Sequence, residues 1–346
     1  MQMKKVSVVV PCYNAGMYLD KCIGQLLRQT IGVENMEIIL VDDASTDHGE
    51  TRRKIMEYEH RYPNTVMAVF LEQNLRQGGA RNVGVSCAGG EYLCFCDADD
   101  WLLEEALEHS YLAAKKYDAD VVEFRGENVK ERDAVVELKK GDGDRLKELD
   151  TEEKKKEFLL EVTEQITYGS QQKLYRLSMI HEHQIAFAEH LMFEEPSFVV
   201  SVRLYERRHY FLDEKLYVWY LSSGSTMRSS WEEKHRWDNL RVWLCLIKDL
   251  SARGLLERYA EELEYQFWSW GLGLSLMMLL QKGCILTKEE LKLYVDITLQ
   301  LFPDVRENKY IGYAATAWDY MLLNILDMEL TDEQAGLVNQ LLKDCM

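Results

Sequence analysis

Gly90-Glu91-Tyr92-Leu93-Cys94-Phe95-Cys96-Asp97-Ala98-Asp99-Asp100-Trp101 decides how this chain is read, because an apolar run stops abruptly on a set of carboxylates. Leu93 to Cys96 is short, apolar and preceded by a Gly-Gly pair, as suits a buried strand of a parallel sheet. Its end then lies at a sheet edge, and ligands of open α/β sheets sit just outside the carboxyl ends of strands. Crowded acids repel one another there unless a cation or hydrogen-bond donors stabilise them. A hard divalent ion fits, since Mg²⁺ and Mn²⁺ prefer oxygen ligands and share them with substrate phosphates. The competing reading makes Asp99 and Asp100 the cap of a helix beginning near Trp101, with Glu104 and Glu105 on the positive end of its dipole. These residues alone leave both open.

Upstream, Val6-Ser7-Val8-Val9-Val10 is a mostly β-branched run ended by Pro11, and Cys12-Tyr13-Asn14-Ala15-Gly16 turns into a helix with Leu19, Ile23, Leu26 and Leu27 on one face. Met36 to Val41 repeats the strand and closes on Asp42-Asp43, after which Ala44-Ser45-Thr46-Asp47 offers caps for a helix through about Tyr62. Val66 to Leu71 is a third strand, and Asn74 to Gly84 opens a helix ending near Gly89-Gly90. Four strands alternating with helices predict right-handed crossovers, a mostly parallel sheet and functional loops gathered at one edge.

Downstream, a helix over Leu102 to Tyr117 leads to a strand over Ala119 to Phe124. Residues 127–157 carry both signs of charge and read as a solvated hairpin or loop insertion followed by an exposed helix, with no chemistry assigned. Gly141-Asp142-Gly143-Asp144 lacks the ligand spacing and closing Glu of a calcium loop. Glu194-Glu195, after an apolar run, invites a catalytic reading, although acids before Pro196 also mark a helix start. Lys215 to Tyr220 is a strand, and Ser222-Ser223-Gly224-Ser225-Thr226 is a loop able to bind substrate. From Trp231 the pattern is helical. The expected organisation is an α/β domain over 1–228 and a helical domain over 229–346.

The net charge of -18 argues against general nucleic-acid binding, so an acidic substrate needs a local positive site or a metal. Eight cysteines without a CxxC pair read as free thiols in a reducing compartment. Cys94 and Cys96 share a strand face and are not a metal motif. The apolar run at Val6 is too short for a signal-peptide core or a membrane span, so a cytoplasmic protein is expected. Phe267 to Leu280 falls short of the ~20 residues a spanning helix needs, and reads as a packed core helix rather than an interfacial anchor.

In order along the chain, Val6 to Asn14, Val41-Asp42-Asp43-Ala44-Ser45-Thr46-Asp47, Gly79-Ala80-Arg81-Asn82-Val83-Gly84 through Tyr92, and Asp97-Ala98-Asp99 resemble the signatures of family 2 glycosyltransferases, of the type that builds bacterial surface polysaccharides and teichoic-type polymers. The resemblance covers roughly residues 6 to 226. It implies the GT-A fold, a mostly parallel sheet with flanking helices, plus a helical C-terminal region outside the match. It also implies a uridine-linked nucleotide-sugar donor and a metal cofactor, Mn²⁺ or Mg²⁺. By this resemblance Pro11, Tyr13, Asn14, Asp43, Arg81, Asp97 and Ala98 hold the nucleotide-sugar, with Tyr13 on the base, Asp43 accepting a hydrogen bond from it and Arg81 facing the diphosphate or completing the nucleotide pocket. Asp99 is then the first metal ligand, with Asp97 beside it and Asp100 in support.

Family members usually carry Glu-Asp where this chain has Glu194-Glu195, so Glu195 is the candidate base of an inverting displacement and Glu194 an acceptor or supporting residue. The extra methylene of Glu and the following Pro196 leave two readings: an active transferase, or a non-catalytic nucleotide-sugar-binding or scaffolding protein. A nucleotidyltransferase is a weaker third, for lack of a basic Gly-rich signature after the first strand. The chain has no Gln-x-x-Arg-Trp signature of processive synthases. Expected acceptors are glycans or lipid-linked glycans, which would bring the protein to the inner membrane face. The tryptophan-bearing C-terminus is open to binding an acceptor, contacting a partner chain such as a second copy, or packing its own core.

Overall fold

A computed structural model describes residues 3–161, 168–221, 233–313, 317–327 and 330–344. The chain divides into two units, Met1–Trp231 and Glu232–Met346. The first is built on strands β1 (Val6–Cys12), β2 (Met36–Asp42), β3 (Val66–Phe70) and β4 (Tyr92–Phe95), joined by helices α1 (Leu19–Leu26), α2 (Glu50–Arg61) and α3 (Arg76–Cys87). Next come β5 (Trp101–Leu102), α4 (Ala106–Tyr117), β6 (Val121–Val129), β7 (Lys139–Lys140), β8 (Arg145–Glu148) and α5 (Glu152–Leu160). The unit closes with β9 (Lys173–Arg176), α6 (Leu177–Glu182), α7 (Glu195–Tyr205) and β10 (Arg208–Tyr220).

All of these strands share one sheet, with path β3-β2-β1-β4-β9-β6-β10-β5 and with β7 and β8 attached to β10. Strand β1 explains why helices cover both faces. Val6, Val8, Val10 and Cys12 pack with Leu19, Cys22, Ile23 and Leu26 of α1, whereas Val9 faces Ala80 and Val85 of α3. Burial at every position, with Ser7 the one polar side chain, is what a doubly covered strand shows. A Cβ on Gly84 would run into the Val9 side chain, so glycine lets α3 lie against β1.

Strands β1, β2, β3 and β4 are mutually parallel, and β6 is parallel to β10. The short β9 runs antiparallel between β4 and β6, so β6 and β4 point the same way. The carboxyl ends of β1, β2, β4, β6 and β10 therefore meet at one sheet edge. The turn entering β9 arrives at that same edge.

Three expectations change. Trp101 and Leu102 form β5, antiparallel to Val218 and Tyr217 of β10, and α4 starts only at Ala106 with Glu105 before it. Asp99 and Asp100 do not cap a helix; burial of Trp101 and Leu103 against Val218 holds the chain extended instead. Strand β10 begins at Arg208 rather than Lys215, because its polar residues find partners: His209 lies between Glu123 and Glu206, and Asp213 pairs with Arg125. The charged insertion is not a free loop. β7 and β8 pair with β10, and the Thr151 side chain caps α5 by accepting from the Lys154 N–H.

Described residues of the second unit are helical. Phe267–Gly273 adopts wide π turns that continue into the helix Leu274–Gln281, with Phe267, Trp268, Leu272 and Leu276 buried. Among the described residues no helix is long and apolar enough to cross a membrane. The described cysteines are free thiols; Cys12, Cys22, Cys94 and Cys96 are buried, whereas Cys245 is exposed. The Ser222 to Thr226 loop and the junction expected at 228/229 lie outside the described residues.

Candidate active site

The end of β4 delivers the acids to the sheet edge. Asp97 Oδ1 accepts from Arg81 Nη2 at 2.8 Å and Oδ2 accepts from Gln171 Nε2 at 2.9 Å, so both oxygens are held by protein. Asp100 is buried, accepting from the Tyr217 hydroxyl at 2.8 Å and the Tyr220 N–H at 2.9 Å. Burial, then the charges of Asp99 and Asp97, push its carboxyl well up. Asp99 differs. Its side chain makes no bond to another described residue, and burial followed by the Asp97 charge pushes its carboxyl up to about 6. Two neighbouring acids, one of them partly exposed and bonded to no other described residue, make the situation a cation relieves.

Helix α3 brings Arg81 to the same place. Its guanidinium is 1% exposed and bridges Asp97 to Glu194, whose Oε1 lies 2.5 Å from Nη1. Burial pushes the Glu194 carboxyl up to about 7 while Arg81 opposes the rise. Gly78, one turn before Arg81, makes this approach feasible: a Cβ there would meet the Ala188 carbonyl and, at 2.8 Å, Glu194 Cγ. Glu195 opens α7 ahead of Pro196. Its Oε1 accepts both the Ser170 N–H at 3.0 Å and the Ser170 hydroxyl at 2.9 Å.

The loops after β1, β2 and β3 are stitched together. Pro11 is buried within β1, and Tyr13 stands 49% exposed beside it, the exposure a ring needs to stack on a ligand. Asn14 takes a left-handed conformation (φ 51°), donating its N–H to Ser45 Oγ at 2.9 Å and accepting the Thr46 N–H on Oδ1 at 2.7 Å. Asp43 is buried, with Oδ1 accepting from the Leu75 N–H at 2.7 Å; burial is the main cause that pushes its carboxyl up to about 6.

Among the described residues no group of three or more His, Cys, Asp or Glu is placed to hold a metal by itself. The oxygen-only chemistry and the partly exposed Asp99 carboxylate, bonded to no other described residue, nevertheless fit a hard divalent ion that takes the rest of its shell from a diphosphate and water.

Residues 7–170 match the glycosyl transferase family 2 domain. Glycosyltransferase GlyG of Streptococcus pneumoniae is 30% identical over 285 residues, covering 75% of this chain and 89% of GlyG. The chain belongs to glycosyl transferase family 2. A second relative, the poly(ribitol-phosphate) beta-N-acetylglucosaminyltransferase TarP of Staphylococcus aureus, is 37% identical over 123 residues, 35% of this chain and 36% of TarP. The chain thus spans about a third of TarP's length. In fold, it matches S. aureus TarS 1-349 in complex with UDP-GlcNAc with a TM-score of 0.65 at 20% identity, covering 98% of this chain and 91% of TarS 1-349. A mannosyltransferase from Pyrobaculum calidifontis in complex with GDP-Man and Mn²⁺ matches with a TM-score of 0.50 at 14% identity, covering 98% of this chain and 88% of that one.

Membership makes the protein a glycosyltransferase. Within this family 2 enzyme the site residues gather at one edge of the sheet, with one correction. Arg81 does not face an open diphosphate pocket; it is buried with Nη1 and Nη2 committed to Glu194 and Asp97. Ser170, Gln171 and Tyr217 escaped the sequence reading altogether. Ser170 and Gln171 precede a four-residue strand and carry no motif, so only the antiparallel insertion of β9 reveals them.

Proposed function

We propose that this family 2 glycosyltransferase moves a sugar from a uridine-diphosphate sugar to a hydroxyl of a glycan or lipid-linked acceptor, with inversion, in the synthesis of a cell-surface polymer. The observation that carries this reading is Glu195, gripped through Oε1 while Oε2 has no hydrogen bond to a described residue, at the same sheet edge as Asp97 and Asp99. A carboxylate held this way suits a general base. The acceptor oxygen attacks the anomeric carbon on the face opposite the diphosphate, and its proton passes to Glu195 Oε2. The bond from that carbon to the diphosphate oxygen breaks, and its electron pair leaves with the nucleoside diphosphate. Attack from the opposite face inverts the anomeric centre.

Tyr13 stacks on the base, Asp43 accepts its hydrogen bond, and Pro11, Asn14 and Ala98 shape the pocket. Asp99 is the residue to hold Mn²⁺ or Mg²⁺, with Asp97 flanking it. When bound, such an ion supplies Lewis-acid stabilisation of charge on the leaving diphosphate. Arg81 acts by positioning Asp97 and Glu194. Residues 1–228 carry the donor site. The enzyme works in the cytoplasm, at the inner membrane face when the acceptor is lipid-linked. A thermal-shift panel of nucleotide-sugars with and without Mn²⁺ tests the donor site: stabilisation by a UDP-sugar that grows with metal is expected, and no shift with any donor refutes it.

A further inference from the structure

The base of this enzyme poses a geometric problem. Glu has one more rotatable bond than the Asp usual in the family, and a reacting group displaced by 1 Å can lose about 100-fold in rate. A longer carboxylate therefore needs more than its helix to aim it. The two bonds from Ser170 to Glu195 Oε1 provide that restraint, since a main-chain and a side-chain donor on one oxygen fix the carboxylate and leave Oε2 for a proton. Ser170 itself is fully buried.

The turn carrying Ser170 is anchored residue by residue. Lys173 Nζ donates to the Gly169 carbonyl at 2.6 Å, the Tyr175 hydroxyl donates to the Ser170 carbonyl at 3.0 Å, and the Phe124 N–H donates to the Gln172 carbonyl at 2.9 Å. Lys173 is buried and pairs with the buried Glu123 at 2.9 Å, which also lies 3.2 Å from His209 Nε2. Such a network is costly to assemble and rigid once satisfied. Gln171, the next residue, grips Asp97 on the donor side. Adjacent residues of one locked turn thus hold the base and the donor-side acid.

We infer that Ser170 is a positioning residue for sugar transfer, aiming the Glu195 carboxylate from a turn locked by Lys173. This rests on Glu195 being the base. The experiment uses the full chain with UDP-GlcNAc and Mn²⁺, water as acceptor and UDP release as readout, on Ser170→Ala, Glu195→Asp, the double variant and Glu195→Gln. Ser170→Ala is expected to lower kcat about 10- to 100-fold with donor KM within about twofold and with its thermal transition preserved. In the Glu195→Asp background, where the shorter acid no longer reaches Ser170, the same change should cost less than about twofold, the mark of two residues acting as one. An unchanged kcat in Ser170→Ala, or losses that multiply in the double variant, overturns the inference. If turnover survives in Glu195→Gln, or is absent with every UDP-sugar of a donor panel, the base assignment itself falls, and the inference with it.

Discussion

Removing Arg81 should expose how much the site depends on one buried cation. Arg81→Met keeps the volume roughly but leaves Asp97 and Glu194 without their counter-charge, and Glu194 is 3% exposed, so water cannot take over. Breaking a buried pair by deleting one partner costs about 3–5 kcal/mol. At roughly 2–4 °C per kcal/mol for a unit of this size, the transition should fall by about 6–20 °C at pH 7.5. The loss should also depend on pH with a definite sign. The Glu194 carboxyl already sits up at about 7 with Arg81 opposing that rise, so deleting Arg81 raises it further. A carboxyl raised above its unfolded value contributes stability that is fully present below that unfolded value and lost as pH rises through the folded one. Below pH 6 Glu194 is protonated in both proteins and the deficit should be flat; above pH 7 it should grow by about 1.4 kcal/mol per pH unit. Thermal unfolding of both chains between pH 5.5 and 8.5 measures this. A loss below about 1 kcal/mol, or one that does not change across that range, would refute the clamp argument.

Asp99→Asn should leave the transition temperature close to wild type yet abolish the extra stabilisation that Mn²⁺ gives a UDP-sugar, which a thermal-shift titration reads directly; retention of the metal effect would remove Asp99 as ligand. Because burial holds the Asp43 carboxyl at about 6, uridine affinity should weaken as pH falls below about 6, up to tenfold per unit, and Asp43→Asn should flatten the profile. Uridine lacks the diphosphate, so Asp99 does not enter; a wild-type profile flat from pH 5 to 8 would count against Asp43 as the base contact. Gly78→Ala places a methyl against the Ala188 carbonyl and Glu194. It should cost about 1–3 kcal/mol in unfolding experiments, and a neutral substitution would show that the α3 approach is looser than described.

The first half of the α/β unit was legible because its strands are largely apolar runs, two of them closing on paired acids, and its helices carry one apolar face. Family membership could be read from the same strand ends. Elements with mixed polarity were harder. Arg208 to Glu214 has no clean alternation; it is a strand through its ladders to β6 and β8, and its polar residues find Arg125, Glu123 and Glu206. Asp99 and Asp100 look identical in sequence, yet Asp100 is a satisfied structural acid and Asp99 is not, a difference set by Tyr217 and Tyr220 more than a hundred residues away. Arg81 reads as a phosphate ligand until its burial between two carboxylates is seen. Ser170 carries no local signal, since its importance comes from a long-range contact with Glu195.

The central claim is that Glu195 takes the acceptor proton at a donor site built on Asp97 and Asp99. Single-turnover UDP release from UDP-GlcNAc by the wild type and Glu195→Gln, with donor Kd measured on the same samples, tests it most directly. The account predicts a rate loss of about 100-fold or more with Kd within about threefold. Equal rates in the two proteins would contradict it.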